Sequence, residues 1–313
     1  METLSYDDVV SVIEQYKDLR TRYNRQHRIQ RKGHINITGG EPFFRKDIKR
    51  ILRYLGENKA FFTYGILSNG SFIDEETIRI LRETEVSFVQ LSLDGNRETH
   101  DALRAHGDYD RVLKTAEHLE RNGIRTYISF TANKDNYHQL PHVAQACRKR
   151  NITKLWSDRL VPIGTGQDLQ RLAITADELP QYVRCLKKAQ GSFVTRAFYP
   201  KTQVTLNRAL QFQNSKGRMY SCSAGNSLIT VDEFGNIMPC RRLPILCGNV
   251  FETTMADVYY HNDTFRALRS STIPKACAQC QYAPLCKGGA KCQSYAAFQS
   301  FRRADPACPL AKR

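Results

Sequence analysis

No cysteine stands before Cys147 in this 313-residue chain, and no run of apolar residues approaches the length of a membrane span. A spanning protein is therefore not expected. The opening stretch METLSYDDVVSVIEQYKDLR lacks the apolar centre of a signal peptide, so the usual route to an oxidising compartment is missing and disulfides lose their context. The protein is expected to be cytoplasmic. Acidic residues are in deficit, 31 Asp and Glu against 47 Lys and Arg, and the formal charge of +16 favours an acidic partner such as nucleic acid, an anionic cofactor or an acidic peptide. The basic residues fall in scattered groups (Arg25 to Lys32, Lys46 to Arg53, Arg148 to Arg150) without an aromatic-interleaved stripe, so a solvated basic surface is preferred over nucleic-acid binding.

What the chain has instead is cysteine concentrated late. Cys277, Cys280, Cys286, Cys292 and Cys308 are five of the ten cysteines, packed into 32 residues, and a second pair, Cys222 and Cys240, stands upstream with Gly235 in a turn between them. Such spacing lets one short loop present several thiolates to one point, as soft metals and iron-sulfur clusters require. Structural zinc competes, because Cys-x2-Cys joined to a second pair is also how zinc ribbons look, and spacing alone leaves the two comparable. Cys147 and Cys185 are isolated in helical stretches and read as buried apolar thiols.

The rest of the chain has a rhythm. An amphipathic helix over residues 6 to 24, with Val9, Val10, Ile13, Tyr16 and Leu19 on one face, precedes strands at 34–38, 62–67, 88–93, 126–130 and 154–161. Helices alternate with them: 46–57, one from Asp74, one containing 112–120, then 140–150 and 176–190. Strand starts about 26 to 38 residues apart suit βα units winding a parallel sheet into a barrel or part of one. Ligands of such sheets bind at the carboxyl ends of the strands, where Gly39-Gly40-Glu41-Pro42, Ser68-Asn69-Gly70 and Asp94-Gly95 stand. Gly39 and Gly40 permit close backbone approach, Glu41 offers a carboxylate to an ammonium, and Pro42 stiffens the turn. A plain βα loop explains those four residues equally well by themselves.

Three features together resemble the radical SAM enzymes that carry a SPASM extension. Gly39-Gly40-Glu41-Pro42 after the first visible strand is similar to the family's GGEP segment; LSLDGNRETHDALRAHGDYDRVL (Leu91 to Leu113) resembles its segment from the fourth barrel strand into the next helix. The cysteine order Cys222-x12-Gly235-x4-Cys240, then Cys277-x2-Cys280-x5-Cys286, Cys292 and Cys308, tracks the SPASM arrangement. The resemblance implies an α/β fold, a partial (β/α) barrel missing its first strand over residues 1–195, followed by a small cysteine-rich SPASM domain over 196–313. It also implies an enzyme that uses a 5′-deoxyadenosyl radical to modify a peptide or protein, with an electron donor protein as partner. An acidic leader peptide and a carboxylate-rich tetrapyrrole suit the charge equally.

By the same resemblance Gly39, Gly40, Glu41 and Pro42 would take the amino group of S-adenosylmethionine. Ser92 and Asp94 would hydrogen-bond its ribose with Ser129 assisting, Arg159 would pair with a carboxylate, and Ser68 and Asn69 would complete the strand ends. Two auxiliary 4Fe-4S clusters are implied: Cys222, Cys240 and Cys292 on the nearer, Cys277, Cys280, Cys286 and Cys308 on the outer. Cys247 is the candidate fourth ligand of the nearer cluster, with a buried free thiol as the alternative.

Two departures qualify the match. Five residues, Lys287 to Lys291, separate Cys286 from Cys292 where the commonest form has three, which alters loop shape more than ligation. The family's Cys-x3-Cys-x2-Cys loop, which holds a third 4Fe-4S cluster ahead of the GGEP segment, has no counterpart, so this chain alone is expected to be inactive. A numbering that begins late is the simplest account. The rival is a non-catalytic metal-binding protein, iron-sulfur or zinc, with a degenerate barrel that carries a peptide or partner.

Overall fold

A computed structural model describes residues 3–214, 219–270 and 272–311. Six strands, β1 (Gly33–Ile37), β2 (Phe62–Ser68), β3 (Phe88–Ser92), β4 (Thr126–Ala132), β5 (Lys154–Arg159) and β6 (Gln203–Thr205), line up in chain order in one sheet. This is the α/β architecture that the alternation predicts. β1 pairs with β2 in parallel from Gly33 against Phe62 to Ile37 against Ile66, and β5 runs parallel to both β4 and β6. β6 is an addition to the five predicted strands, since its three residues are too short to show a period.

Two compact units are present, each assembled from separated segments. One comprises Met1–Ser68, Phe72–Val89 and Ser223–Ser271; the other Asn69–Ser71, Gln90–Cys222 and Thr272–Arg313. Compactness thus follows a different line from the single break predicted near residue 195.

The first unit shows why its segments belong together. Helix α1 (Tyr6–His27) starts in a capping box, with Ser5 accepting from the Asp8 N–H and Asp8 reaching back to the Ser5 N–H, and ends where Arg28 turns left-handed. Its Leu19 packs into one apolar cluster with Ile237, Val250, Met255, Val258 and Phe265, and Tyr16 lies against the same group. The Gln15 amide seals the join, donating to the Val250 carbonyl and accepting from the Met255 N–H. Helix α2 (Ile48–Glu57) buries Ile48, Ile51, Leu52 and Leu55, the stripe read from the sequence. Helix α3 (Glu75–Glu83) follows Asp74, whose carboxylate caps the Thr77 N–H at 2.7 Å. Strands β7 (Thr230–Val231), β8 (Asn236–Met238) and β9 (Gly248–Asn249) form a small antiparallel sheet. Asp232 closes the β7–β8 turn by accepting from the Phe234 and Asn236 N–H groups.

The second unit packs helices α4 (Arg97–Leu103), α5 (Asp108–Arg121), α6 (Leu140–Lys149) and α7 (Leu179–Gln190) with its strands, followed by α8 (Phe193–Phe198). Its core includes Phe130, Leu113, Leu119 and Tyr182, all fully buried. The Tyr182 hydroxyl is satisfied there by Ser157 and Gln211, which is what allows a phenol so deep. No helix among the described residues is long and apolar enough to cross a membrane.

The Asp74 cap gives a direct check on this packing. Asp74→Ala should destabilise the protein by about 1 kcal/mol, read as a lower urea midpoint, whereas Asp74→Asn should leave the midpoint nearly unchanged.

Candidate functional site

The strand ends come first, because side chains there are aimed by the sheet. In the first unit β1 releases the chain into Gly39, whose φ of 149° suits glycine, and Gly40; a side chain built at either would meet nothing within 4 Å. The backbone is therefore approachable. Glu41 then caps a short 3-10 turn over Pro42–Phe44, its Oε1 accepting from the Phe43 N–H at 3.1 Å and from the Ser68 hydroxyl, at the end of β2, at 2.8 Å. The structure thus brings Glu41 and Ser68 together.

In the second unit Asn69 works as a turn former, its Oδ1 accepting from the Ser71 N–H and its carbonyl from Arg111. Asp94, 5% exposed, is the knot of the next loop. Its Oδ1 accepts from the Thr131 N–H at 2.8 Å, its Oδ2 from Arg104 at 2.9 Å, and its carbonyl from the Asn136 side chain at 3.0 Å. Both carboxylate oxygens therefore hold protein, a task the sequence reading did not foresee beside the ribose role. Ser92 ends β3, while Ser129 lies inside β4, which runs to Ala132 where the sequence predicted an end at 130.

His100 is a residue that sequence reasoning passed over. Fully buried, it accepts from the Asp94 N–H through Nδ1 at 3.1 Å, so the ring proton sits on Nε2 and is donated to Asp108 at 2.9 Å. Gln139 braces the same loop by accepting from the Asn96 N–H and donating to Thr99. The signal available was the Asn96-x2-Thr99 cap that starts α4 just before it.

Arg159, the last residue of β5, finds its carboxylate inside the protein. Nη1 and Nη2 donate to the two oxygens of Asp305 at 3.0 and 2.6 Å, in a pair that is 2% and 0% exposed. Burial opposes the guanidinium charge, but the Asp305 carboxylate outweighs it and drives the pKa up, so the cation persists. Gln293 adds a second tie by donating to the Leu160 carbonyl at 2.9 Å.

None of the ten cysteines, all of which are among the described residues, is in a disulfide. Burial pushes the Cys277 thiol up, with Cys308 and Cys280 adding to the effect. Cys286 is pushed up to about 11 by burial, with Cys308 adding and the N–H groups of Gly289 and Gly288 pulling it back. Cys308 thus bears on both Cys277 and Cys286, and Cys280 on Cys277, all four belonging to the set expected on the outer cluster. Gly288 and Gly289 have φ of 85° and 84°, and a side chain on Gly289 would stand 2.5 Å from the Asp305 Cβ, so the loop needs glycine there.

Burial holds the Lys291 ammonium below the usual lysine range, against the charges of Cys222, Cys286 and Cys277. Cys292 packs with Ala209 and Ala290. In the first unit, the Cys240 sulfur accepts from the Arg242 N–H, and Cys247 donates to the Ile245 carbonyl at 3.3 Å with its thiol pushed up by burial. Among the described residues no three of His, Cys, Asp or Glu stand close enough to share a single metal ion. Four thiols presented by one short segment are the donor type an iron-sulfur cluster uses, and Cys277, Cys280, Cys286 and Cys308 have that chemistry.

Two family models match the chain: the radical SAM superfamily over residues 5–147 and the SPASM iron-sulfur cluster-binding domain over residues 222–281. An AdoMet-dependent heme synthase of Methanosarcina barkeri (strain Fusaro / DSM 804) is 25% identical over 287 residues, 87% of this chain and 81% of the relative. Mycofactocin maturase MftC of Mycolicibacterium smegmatis is 28% identical over 283 residues, 88% of this chain and 70% of the relative. Among solved structures, Streptococcus suis SuiB bound to S-adenosylmethionine is similar in fold, with a TM-score of 0.70 at 20% identity, covering 94% of this chain and 69% of that one.

The His100 network is open to a stability test. His100→Phe leaves the buried Asp94 N–H without its acceptor and takes from Asp108 one of its partners, Arg111 being another, and should cost about 1–3 kcal/mol in chemical denaturation. Restoration of most of that loss by a His100→Gln variant would identify the hydrogen bonds, rather than ring volume, as the cause.

Proposed function

Because the chain belongs to the radical SAM superfamily and carries a SPASM domain, a family of enzymes whose cofactors are 4Fe-4S clusters and S-adenosylmethionine, we propose that it serves radical modification of a peptide or protein substrate. The observation that carries the reading is the presentation of Cys277, Cys280, Cys286 and Cys308 by one short segment that Asp305 ties together through the Ala290 and Ala307 N–H groups and the Gly288 carbonyl. Cys222, Cys240 and Cys292, with Cys247 as fourth ligand, hold the nearer cluster in this proposal, and the former four hold the outer one.

The strand ends have the chemistry to hold the nucleoside ligand. The approachable Gly39–Gly40 backbone and the Glu41 carboxylate, kept in place by Ser68, receive an ammonium group. Ser92, Asp94 and Ser129 would hydrogen-bond the ribose hydroxyls, the Asp94 oxygens as further acceptors beside their bonds to Thr131 and Arg104, with Asn69 shaping its own turn. Arg159 would meet a ligand carboxylate in this reading by giving up one of its two bonds to Asp305. S-adenosylmethionine held there would supply radical chemistry only with a further 4Fe-4S cluster, for which residues 1–313 contain no Cys-x3-Cys-x2-Cys segment. The residues around the ligand orient it and exclude water.

A peptide is favoured as substrate by the likeness in fold to SuiB, which has been solved bound to precursor peptide SuiA, and an acidic peptide would suit the +16 charge. A second reading, a non-catalytic metal-binding protein that carries a peptide, is favoured by one feature: the chain contains no Cys-x3-Cys-x2-Cys segment.

Anaerobic reconstitution separates the metals. About eight irons per chain with broad brown absorbance are expected from two 4Fe-4S clusters, and Cys280→Ala should remove about half. Stoichiometric zinc in a colourless protein would sink the iron-sulfur reading. Cys247→Ala with an unchanged spectrum would remove Cys247 from the ligand set. Calorimetric titration with an acidic peptide and with a carboxylate-rich tetrapyrrole should show heat for the peptide alone; heat for the tetrapyrrole alone reverses the substrate assignment.

A further inference from the structure

Asp305 lies three residues before Cys308, and every polar group on it is committed to the cysteine-rich segment or to β5. Its Oδ2 accepts from the Ala290 N–H and its Oδ1 from the Ala307 N–H, both at 3.1 Å, while its own N–H donates to the Gly288 carbonyl at 2.9 Å. One side chain therefore fixes the loop that joins Cys286 to Cys292 and the residue that precedes Cys308. The guanidinium of Arg159 then anchors that carboxylate, through two parallel bonds, to the residue that ends β5.

A pair this deep is a poor device for stability alone. Taking two charges out of water opposes their attraction, and apolar side chains of similar volume commonly hold a fold as well. What the pair supplies that apolar groups cannot is register: the Ala290 and Ala307 N–H groups and the Arg159 guanidinium are tied to one carboxylate in fixed directions.

We propose that Arg159 and Asp305 form a positioning pair that registers the outer-cluster loop, Cys277 to Cys308, against the carboxyl end of β5. Neither residue is a ligand or a catalytic group in this role. The inference rests on the reading that Cys277, Cys280, Cys286 and Cys308 hold a 4Fe-4S cluster.

The test compares the full chain with Arg159→Met, Arg159→Lys and the apolar double variant Arg159→Met/Asp305→Leu, after anaerobic reconstitution. The double variant leaves no charge unpaired, so it separates folding from positioning. Circular dichroism verifies the fold, and iron content and the paramagnetic resonance spectrum of the reduced protein report the clusters. Arg159→Met and the double variant should fall from about eight irons to about four and lose one component of the spectrum, while Arg159→Lys should regain most of the iron with that component altered. A folded double variant with full iron and an unchanged spectrum would overturn the pair's role. A wild-type chain that takes up no iron would instead overturn the cluster reading on which the pair depends.

Discussion

A guanidinium and a carboxylate both withdrawn from water need geometry good enough to offset their lost hydration, and the Arg159–Asp305 pair has it in two bonds of 3.0 and 2.6 Å with further N–H groups on the same carboxylate. Much of the cysteine-rich part of its unit hangs on that geometry. The left-handed Gly288 and Gly289, the close approach of Gly289 to the Asp305 Cβ, and the tie from Gln293 to the Leu160 carbonyl all follow the same line. Sequence supplies the glycines; the ion pair decides where the loop they form must lie.

The strand ends obey a related constraint. Polar residues there can build the loop or bind a ligand, and this chain uses several of them for the first task already. Asp94 spends both oxygens on Thr131 and Arg104, Asn69 shapes its own turn, and His100 locks the loop from beneath. Such bonds restrict the loop before any ligand arrives, which lowers the ordering cost of binding. Glu41 differs in degree: Ser68 and the Phe43 N–H orient its Oε1, and the glycines before it leave the adjoining backbone approachable.

The local part of this design was legible in the sequence. Apolar period located α1, α2 and five of the six strands, because each element's burial is written in its own residues; Ile48, Ile51, Leu52 and Leu55 are buried as their spacing requires. The cysteine spacing marked Cys277 to Cys308 as one segment for the same reason. What escaped was whatever depends on residues far apart. The packing of α1 on Val250 and Met255 and the pairing of Arg159 with Asp305 join positions separated by well over a hundred residues, and no period or motif encodes them. β6 escaped for a different reason, being only three residues long.

Burial of the thiols gives the register a chemical purpose. A thiol such as Cys286, raised to about 11 in a loop that excludes water, stays protonated at neutral pH and offers little to a metal until the metal's own charge draws the proton away. Ligation and deprotonation then proceed together. During that exchange the sulfurs cannot hold the loop, since they have not yet gained the bonds that would do so. The bonds made by Asp305 are independent of the thiols' protonation, and with Arg159 behind them they keep Gly288, Ala290 and Ala307 in place throughout. In the proposed cluster site, a loop preformed by a carboxylate would present the cysteines already oriented, so that little of the binding free energy would be consumed in ordering the chain.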